Sequence, residues 1–282
     1  MYTVNEMLIR FSDKLSEVFK DRERRQIAKM FMMHYMDLDG TDLLLNKDQE
    51  VPEVVVERLE EALVKINSGK PVQYVMGYMY FYDLKLKVDH RALIPRPETE
   101  ELVNWIVEKW KHRSPKVLDV GTGTGCIALA IKDNLPKSRV FGVDVIQNAI
   151  DLAKENAEQL NIDVTFDFAN ALNLHSYSRY KWDMIVSNPP YIPFDEKEEM
   201  KNHVIDYEPD TALFVPNNNP LLFYRAITLY ARDHLVPKGG LFFEVHEGMA
   251  KEVEELLKLN GFNQVEIRQD LQGKDRMIHA QF

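Results

Sequence analysis

The feature that most narrows the possible folds is an alternation that begins at Lys116. From there onward, short runs rich in β-branched and aromatic residues alternate with longer amphipathic runs. The strand-like runs are KVLDV, RVFGVD, VTFDFA, WDMIVSN, GLFFEV, QVEIRQ and RMIHAQ. Helical spacing fills 125–134, 147–160, 219–234 and 249–260. A strand, a helix and a second strand close as a right-handed crossover between parallel neighbours, so the pattern predicts an α/β doubly wound parallel sheet. The last two runs are joined by a GKDR turn with no helix between them, which predicts an antiparallel pair. Five alternating strands and this pair make seven. Such sheets take their ligands at the carboxyl ends of the strands.

Upstream the pattern is helical. Met7, Leu8, Phe11, Leu15, Val18 and Phe19 recur at helical spacing, as do Ile27, Met30, Phe31, His34 and Tyr35. TDLLLNKDQEVP reads as a loop-like break, and EVVVERLEEALVKINSGK as a further amphipathic helix with Gly69 beyond its end. The Met-rich second helix is assigned to core packing rather than to an adaptable binding face. Residues 1–75 are thus expected to form a small helical bundle, and 76–95 a linker with a β-hairpin around Asp83. The sheet domain is expected over 96–282, entered through IPRP and the helix ETEELVNWIVEKW.

Composition removes several function classes. Across 282 residues the formal net charge is -10, which argues against duplex nucleic acid as a partner. The single cysteine, Cys126, permits no internal disulfide and no cysteine-cluster zinc site, and it is expected as a small buried side chain at a helix start. The eight histidines show no HExxH-type pairing, so no metal is expected. Charges interrupt the N-terminal stretch throughout, so neither a signal peptide nor a membrane span is expected, and the expected location is cytoplasmic.

The first strand runs directly into VLDVGTGTGC. Gly121, Gly123 and Gly125 allow a tight turn in which a ligand meets bare backbone. The third glycine comes one position too early for a dinucleotide fingerprint, and no Gly-Lys-Ser/Thr follows, which excludes a P-loop. Asp119 ends the first strand beside this loop and suits a cationic ligand, such as the amino group and sulfonium of S-adenosylmethionine. Asp144 ends the second strand, where a carboxylate accepts hydrogen bonds from a ribose diol. The fourth strand ends in Asn188-Pro189-Pro190-Tyr191. Its two prolines fix two φ angles, remove two donors and keep the preceding residues extended, which holds Asn188 rigidly at a strand end.

The succession of Asp119, the glycine loop, Asp144 and Asn-Pro-Pro-Tyr resembles the class I S-adenosylmethionine-dependent methyltransferases, whose fold is a seven-stranded sheet. The tetrapeptide resembles the subgroup that methylates planar nitrogens. Such a nitrogen gives its lone pair to the neighbouring π-system and is a poor nucleophile. Two acceptors, the Asn188 side-chain oxygen and the Pro189 carbonyl, can orient it and favour the charge that develops during attack. Tyr191 can stack on the planar group. This chemistry alone suits a nucleobase amine and a side-chain amide equally.

A second set of motifs chooses between them. Gly69, Pro71, Gln73, Tyr74, Gly77, Phe81 and LIPRPETE, with SNPPYIP, EPDTALF, GGLFFEV and GKDR, resemble the protein-(glutamine-N5) methyltransferases of peptide chain release factors. The resemblance implies transfer of methyl from S-adenosylmethionine to the glutamine of the Gly-Gly-Gln motif in class I release factors, a step in translation termination. It implies that Asn188, Pro189, Pro190 and Tyr191 hold the glutamine amide. Gly121, Thr122, Gly123, Thr124 and Gly125 would line the methionine part of the cofactor, with Asp144 on the ribose. Asn170 and Ala171 fall where family members often carry an acid and an aromatic at the adenine, and Phe168 is the candidate substitute. Arg96 is read either as a contact near the substrate pocket or as an anchor for Pro95 and Pro97. The helical domain and hairpin would dock the protein substrate, and EKEEMKNHVIDYEPDTALFVPNNNP is expected to form a flap over the site. The alternatives are a DNA adenine-N6 methyltransferase, which shares the tetrapeptide, and a binding module that keeps only the cofactor fold.

Overall fold

The computed structural model describes residues 2–199 and 206–282. The chain divides into two compact units: one runs to Gly77 and includes Tyr207, and the other begins at Tyr78 and resumes at Glu208.

The first unit is helical. Helix α1 (Val4–Lys14) starts at a reciprocal cap in which the Thr3 hydroxyl accepts from the Glu6 amide and the Glu6 carboxylate accepts from the Thr3 amide. It ends early enough to leave Val18 exposed, outside the apolar face the spacing had given it. Helix α2 (Asp21–Met36) stops at Asp37, which takes a left-handed conformation. Its Phe31 and Met32 are fully buried, and Phe31 stacks on Phe11 of α1 with ring centroids 5.5 Å apart. The expected loop at TDLLLNKDQEVP contains α3 (Gly40–Leu45), because Asp39 caps the amides of Thr41 and Asp42 and so nucleates a turn that the leucines extend. Helix α4 (Glu53–Asn67) supplies Leu59 and Leu63 to the core, and the short α5 (Val72–Met76) ends at Gly77, whose φ of 78° continues no helix.

The second unit opens with the hairpin of β1 (Tyr78–Phe81) and β2 (Leu84–Lys87). Tyr82 and Asp83 both have positive φ, as a two-residue turn requires for the right-handed twist of its strands. Helix α6 (Pro97–Trp110) then begins on proline, which is preorganised for a first helical turn. The main sheet contains β3 (Lys116–Val120), β4 (Arg139–Asp144), β5 (Thr165–Phe168) and β6 (Trp182–Ser187), separated by helices α7 (Cys126–Asn134) and, between β4 and β5, α8 (Gln147–Leu160). A small parallel pair, β7 (Ile192–Pro193) and β8 (Phe214–Val215), lies outside it. The sheet is completed by β9 (Leu235–Glu244), β10 (Gln264–Gln269) and β11 (Asp275–Gln281), in the order β10-β11-β9-β6-β3-β4-β5.

The five alternating strands are parallel and the last two antiparallel, as the sequence pattern predicts. The pattern did not show that the final strand inserts between β9 and β10. The side chains explain it: Met277, Ile278, His279 and Ala280 are all buried, which suits an interior strand, whereas β10 alternates exposed and partly buried residues, which suits an edge. Strand β9 also begins upstream of GLFFEV, at Leu235, through a register irregularity opposite β6. Alternate residues of the central strands feed the two faces. Val117, Met184 and Phe242 meet α6, α7 and α8, while Leu118, Ile185 and Phe243 meet helices Leu222–His234 and Ala250–Leu259.

Strand β4 approaches its neighbours so closely at Gly142 that an added Cβ would lie 2.6 Å from the Phe166 ring and 2.7 Å from the Thr122 hydroxyl. Gly142→Ala is therefore expected to destabilise the protein by about 1–3 kcal/mol, the usual range for overpacking. Denaturant unfolding checks this, and an unchanged midpoint would show that the close packing yields without cost.

Candidate active site

The parallel strands deliver their carboxyl ends to one edge of the sheet, and a cavity opens there. It is lined by the loop after β3, the ends of β4 and β5, the chain after β6, and the 91–96 segment before α6.

After Val120 the chain turns through Gly121 and Gly123, both at positive φ. The amides of Gly121 and Thr122 both donate to the Val143 carbonyl, which fastens the turn to β4. Gly121, Thr122, Gly123 and Thr124 line the cavity. Gly125 has a different task. It caps α7, and an added Cβ would stand 2.9 Å from Phe166, so its missing side chain lets the helix sit close to the sheet.

Asp119 lies behind the loop, fully buried. One carboxylate oxygen accepts from the Thr122 hydroxyl at 2.6 Å, and the other has no hydrogen-bond partner among the described residues. Burial without a counter-ion pushes its pKa up to about 7. Asp119 is not among the residues that line the cavity, and Thr122 stands between it and that space. Asp144 lines the cavity at the end of β4, with its oxygens accepting from the amides of Gly123 at 2.9 Å and Ile146 at 3.0 Å. Burial raises its pKa against these two bonds. Asn170 and Ala171 reach the cavity after β5, together with the apolar Val145, Ile146 and Ala169. Phe168 does not. It is exposed, and the phenylalanine that lines the cavity is instead Phe223, in the helix Leu222–His234. Cys126 is buried at the start of α7 with its thiol pushed up to about 12 by burial, which leaves it an unreactive packing residue.

Asn188, Pro189 and Pro190 also line the cavity. The Asn188 side-chain nitrogen donates to the Thr99 hydroxyl at 3.2 Å, which leaves its oxygen as the free end. Thr99 in turn donates to Glu244 at 2.6 Å, and the Tyr191 hydroxyl donates to the other oxygen of Glu244 at 3.3 Å. Tyr191 is thus turned back toward Glu244, with its ring tilted against His246. Ser187, fully buried, donates to the Val120 carbonyl at 2.6 Å and ties this end of the cavity to the glycine loop.

Arg96 lines the cavity and pairs at 2.7 Å with Glu208, whose side chain is almost fully buried and which also accepts from the Ile94 amide. The two readings of Arg96 therefore meet in one residue, since the ion pair anchors the proline segment at the cavity wall. The middle of the expected flap, residues 200–205, lies outside the described residues. Beyond it, Pro209, Thr211 and Ala212 line the cavity. Among the described residues no group of three or more His, Cys, Asp or Glu side chains is placed to hold a metal ion.

Sequence reading missed Thr99, Ser187, Glu208 and Glu244. Thr99, Glu208 and Glu244 lie inside motifs that carried the family resemblance, but their partners are 89 to 145 residues away in sequence, for Asn188–Thr99, Arg96–Glu208 and Thr99–Glu244, and no spacing rule connects them.

The donor set describes its ligand. A buried carboxylate with one unpartnered oxygen, bare glycine backbone, a second acid and an apolar slot fit a molecule with a cationic end, a diol and a flat apolar ring. The free Asn188 oxygen fits a second ligand that offers N–H groups.

Known proteins give the same outline. A family model described as PrmC N-terminal domain matches residues 6–77, and one described as Methyltransferase small domain matches residues 98–206. A Release factor glutamine methyltransferase from Flavobacterium psychrophilum is 38% identical over 276 residues, covering 96% of each chain. One from Lactococcus lactis subsp. lactis is 40% identical over 231 residues, covering 82% of this chain and 84% of its own. Among solved structures, the hMettl16 catalytic domain in complex with MAT2A 3'UTR hairpin 1 superposes with TM-score 0.58 at 14% identity, covering 91% of this chain and 90% of its own. A methyltransferase from Pyrococcus furiosus gives 0.55 at 17% identity, covering 78% and 98%. At such identity the structures share the fold alone.

The raised pKa of Asp119 has a consequence for stability. The folded value, about 7, lies above the ordinary 3.8, so the native state holds this proton more tightly than the unfolded chain. Its contribution is whole below the unfolded value and is lost as pH rises through 7. Asp119→Asn is expected to make the ligand-free protein more stable than wild type at mildly alkaline pH and to flatten the decline between the two values. Chemical denaturation across that range checks this, and an unaltered pH slope would contradict it.

Proposed function

Because the chain belongs to the release factor glutamine methyltransferase family, we propose that it transfers a methyl group from S-adenosylmethionine to the side-chain amide N5 of the glutamine in the Gly-Gly-Gln motif of class I peptide chain release factors. The observation that carries this reading is Asn188. Its nitrogen is held by Thr99 and its oxygen has no hydrogen-bond partner among the described residues, beside a glycine loop backed by a buried acid with one unpartnered oxygen.

The residues fit S-adenosylmethionine. Asp119 would meet its cationic end, partly through Thr122, and Gly121 to Thr124 would pass along the methionine part. Asp144 would accept from the ribose, and Ile146, Asn170 and Ala171 would flank the adenine. When bound, S-adenosylmethionine supplies an electrophilic methyl on a sulfonium.

The chain's own work is to make an amide nitrogen attack. Asn188 Oδ1 and the Pro189 carbonyl would accept the two N–H groups of the glutamine amide and fix its nitrogen in line. As the nitrogen withdraws its lone pair from conjugation, its N–H groups become more positive and both acceptors bind them more strongly than in the ground state. Neither Pro189 nor Pro190 can follow the substrate by rotating φ, so the geometry is set before binding. No strong base is needed before attack, because the proton becomes acidic only as the new bond forms.

The residues at the cavity form one reading with the domain plan: 96–282 as the catalytic part, 76–95 as the linker with its hairpin, and 1–75 as the part that docks the release factor. Exposed Arg22, Arg25 and Lys29 on α2 offer a basic face for an acidic surface of that partner. The partner is a protein, and a net charge of -10 gives no general attraction for a DNA duplex. No helix among the described residues is long and apolar enough to cross a membrane. We place the reaction in the cytoplasm, where release factors work.

Incubation with S-adenosylmethionine and a class I release factor should add one methyl to one glutamine, read by peptide mass spectrometry. Methyl incorporated into DNA and not into the factor would overturn the reading. Asn188→Ala should lower kcat on the order of 10²-fold, the scale for losing one preorganised polar group at a reacting centre, with cofactor affinity retained. Asp144→Ala should chiefly weaken cofactor binding, measured by calorimetry. Interchanged effects would refute the two assignments.

A further inference from the structure

We propose that Glu244 is a positioning residue that, acting through Thr99, sets which end of the Asn188 carboxamide is presented to the substrate amide. The inference rests on the reading above and adds the device that orients its central residue.

The fold brings the three groups together. Strands β6 and β9 run parallel with Ser187 opposite Phe243, so Asn188, the first residue after β6, lies beside Glu244, the last of β9. Thr99 comes from the first turn of α6 and stands between them. Both Thr99 and Glu244 are buried, with 2% and 1% of their surface exposed, so water does not compete for the bond between them.

A hydroxyl has one proton, and this fixes the direction of the chain. An ionised Glu244 can only accept. Thr99 must then give its proton to Glu244, at 2.6 Å, and can only accept from Asn188. The Asn188 nitrogen turns to Thr99, at 3.2 Å, and its oxygen is left for the substrate. A protonated Glu244 reverses the chain. It can donate to Thr99, whose proton is then free for the Asn188 oxygen, and the Asn188 nitrogen swings toward the cavity. That presents N–H groups to the N–H groups of a glutamine amide, and no bond forms. The other Glu244 oxygen accepts from Tyr191, so the same carboxylate braces both ends of the Asn-Pro-Pro-Tyr turn.

The charged and titratable neighbours come from every side. Arg276 of β11 favours the ionised form, and Glu98 of α6 opposes it. Cys126 and Tyr224 also face it, with the Tyr224 hydroxyl donating to the Glu244 backbone carbonyl, and Arg96 and His246 lie around its partner Tyr191. Burial outweighs the partners and pushes the Glu244 pKa up to about 7. The orientation of Asn188 therefore changes within the range in which enzymes work.

The test compares wild type, Thr99→Val and Glu244→Gln. Thr99→Val keeps the shape and removes the relay, and kcat should fall on the order of 10-fold, the equivalent of one ordinary hydrogen bond, with KM for S-adenosylmethionine unchanged. In wild type kcat should fall as pH drops through about 7, and this acid limb should vanish in Glu244→Gln. The Asn188 side-chain amide resonances, assigned by their loss in Asn188→Ala, should titrate with the same midpoint in ligand-free wild type and stay fixed in Thr99→Val. Full kcat in Thr99→Val, an acid limb kept in Glu244→Gln, or resonances that do not titrate in wild type would each overturn the proposal. The resonance measurement needs no turnover. A wild-type protein that fails to methylate release factor would refute the function, while the titration still decides the relay. It also decides it where Glu244→Gln does not fold.

Discussion

The site depends first on one hydrogen bond, from the buried Ser187 hydroxyl to the Val120 carbonyl at 2.6 Å, between residues 67 apart in sequence. It closes the edge where β3 and β6 leave the sheet in parallel. Because both strands run the same way, the glycine loop that follows one and the Asn-Pro-Pro-Tyr turn that follows the other must emerge together. An antiparallel pairing would place them at opposite ends of the sheet. A methyl donor and a methyl acceptor need adjacent subsites, and the parallel register supplies them before any side chain is chosen.

Asn156 extends the same logic to the hairpin. It is fully buried in α8, and its carboxamide bonds both the amide and the carbonyl of Lys87 and also the Thr124 carbonyl. One side chain thus holds the end of β2 and the glycine loop against a single helix. The Arg96–Glu208 ion pair does similar work for the proline segment. Each contact satisfies backbone or charged groups that would be costly to bury alone.

Two buried acids frame the chemistry, and both are held at a disadvantage in the empty protein. Among the described residues, Asp119 has an oxygen without a partner, and the groups that donate to the Glu244 carboxylate are neutral hydroxyls. Burial raises both to about 7. Under the proposed function a cationic ligand would restore the solvation that Asp119 loses on burial, so the fold would prepare part of the binding free energy. Glu244 has no such outlet and shapes its neighbours instead.

Much of this was legible in the residues alone. The alternation after Lys116 fixed seven strands and their directions, because a helix between two strands permits few crossovers. Gly121, Gly123, Asp144 and Asn188 could be singled out because glycine at a strand end, an acid at the next, and a proline pair each answer a local backbone demand. The insertion of β11 between β9 and β10, the short helix after Asp39 and the retreat of Phe168 from the cavity were not legible, since they follow from burial and capping contacts with no periodic signal. The roles of Thr99 and Glu244 were hidden for a stronger reason. A hydrogen bond across 145 residues leaves no pattern in the chain, and only the pairing of β6 with β9 and the placement of α6 bring its ends within reach. Sequence determined which groups the protein has to work with; tertiary structure decided which way they point.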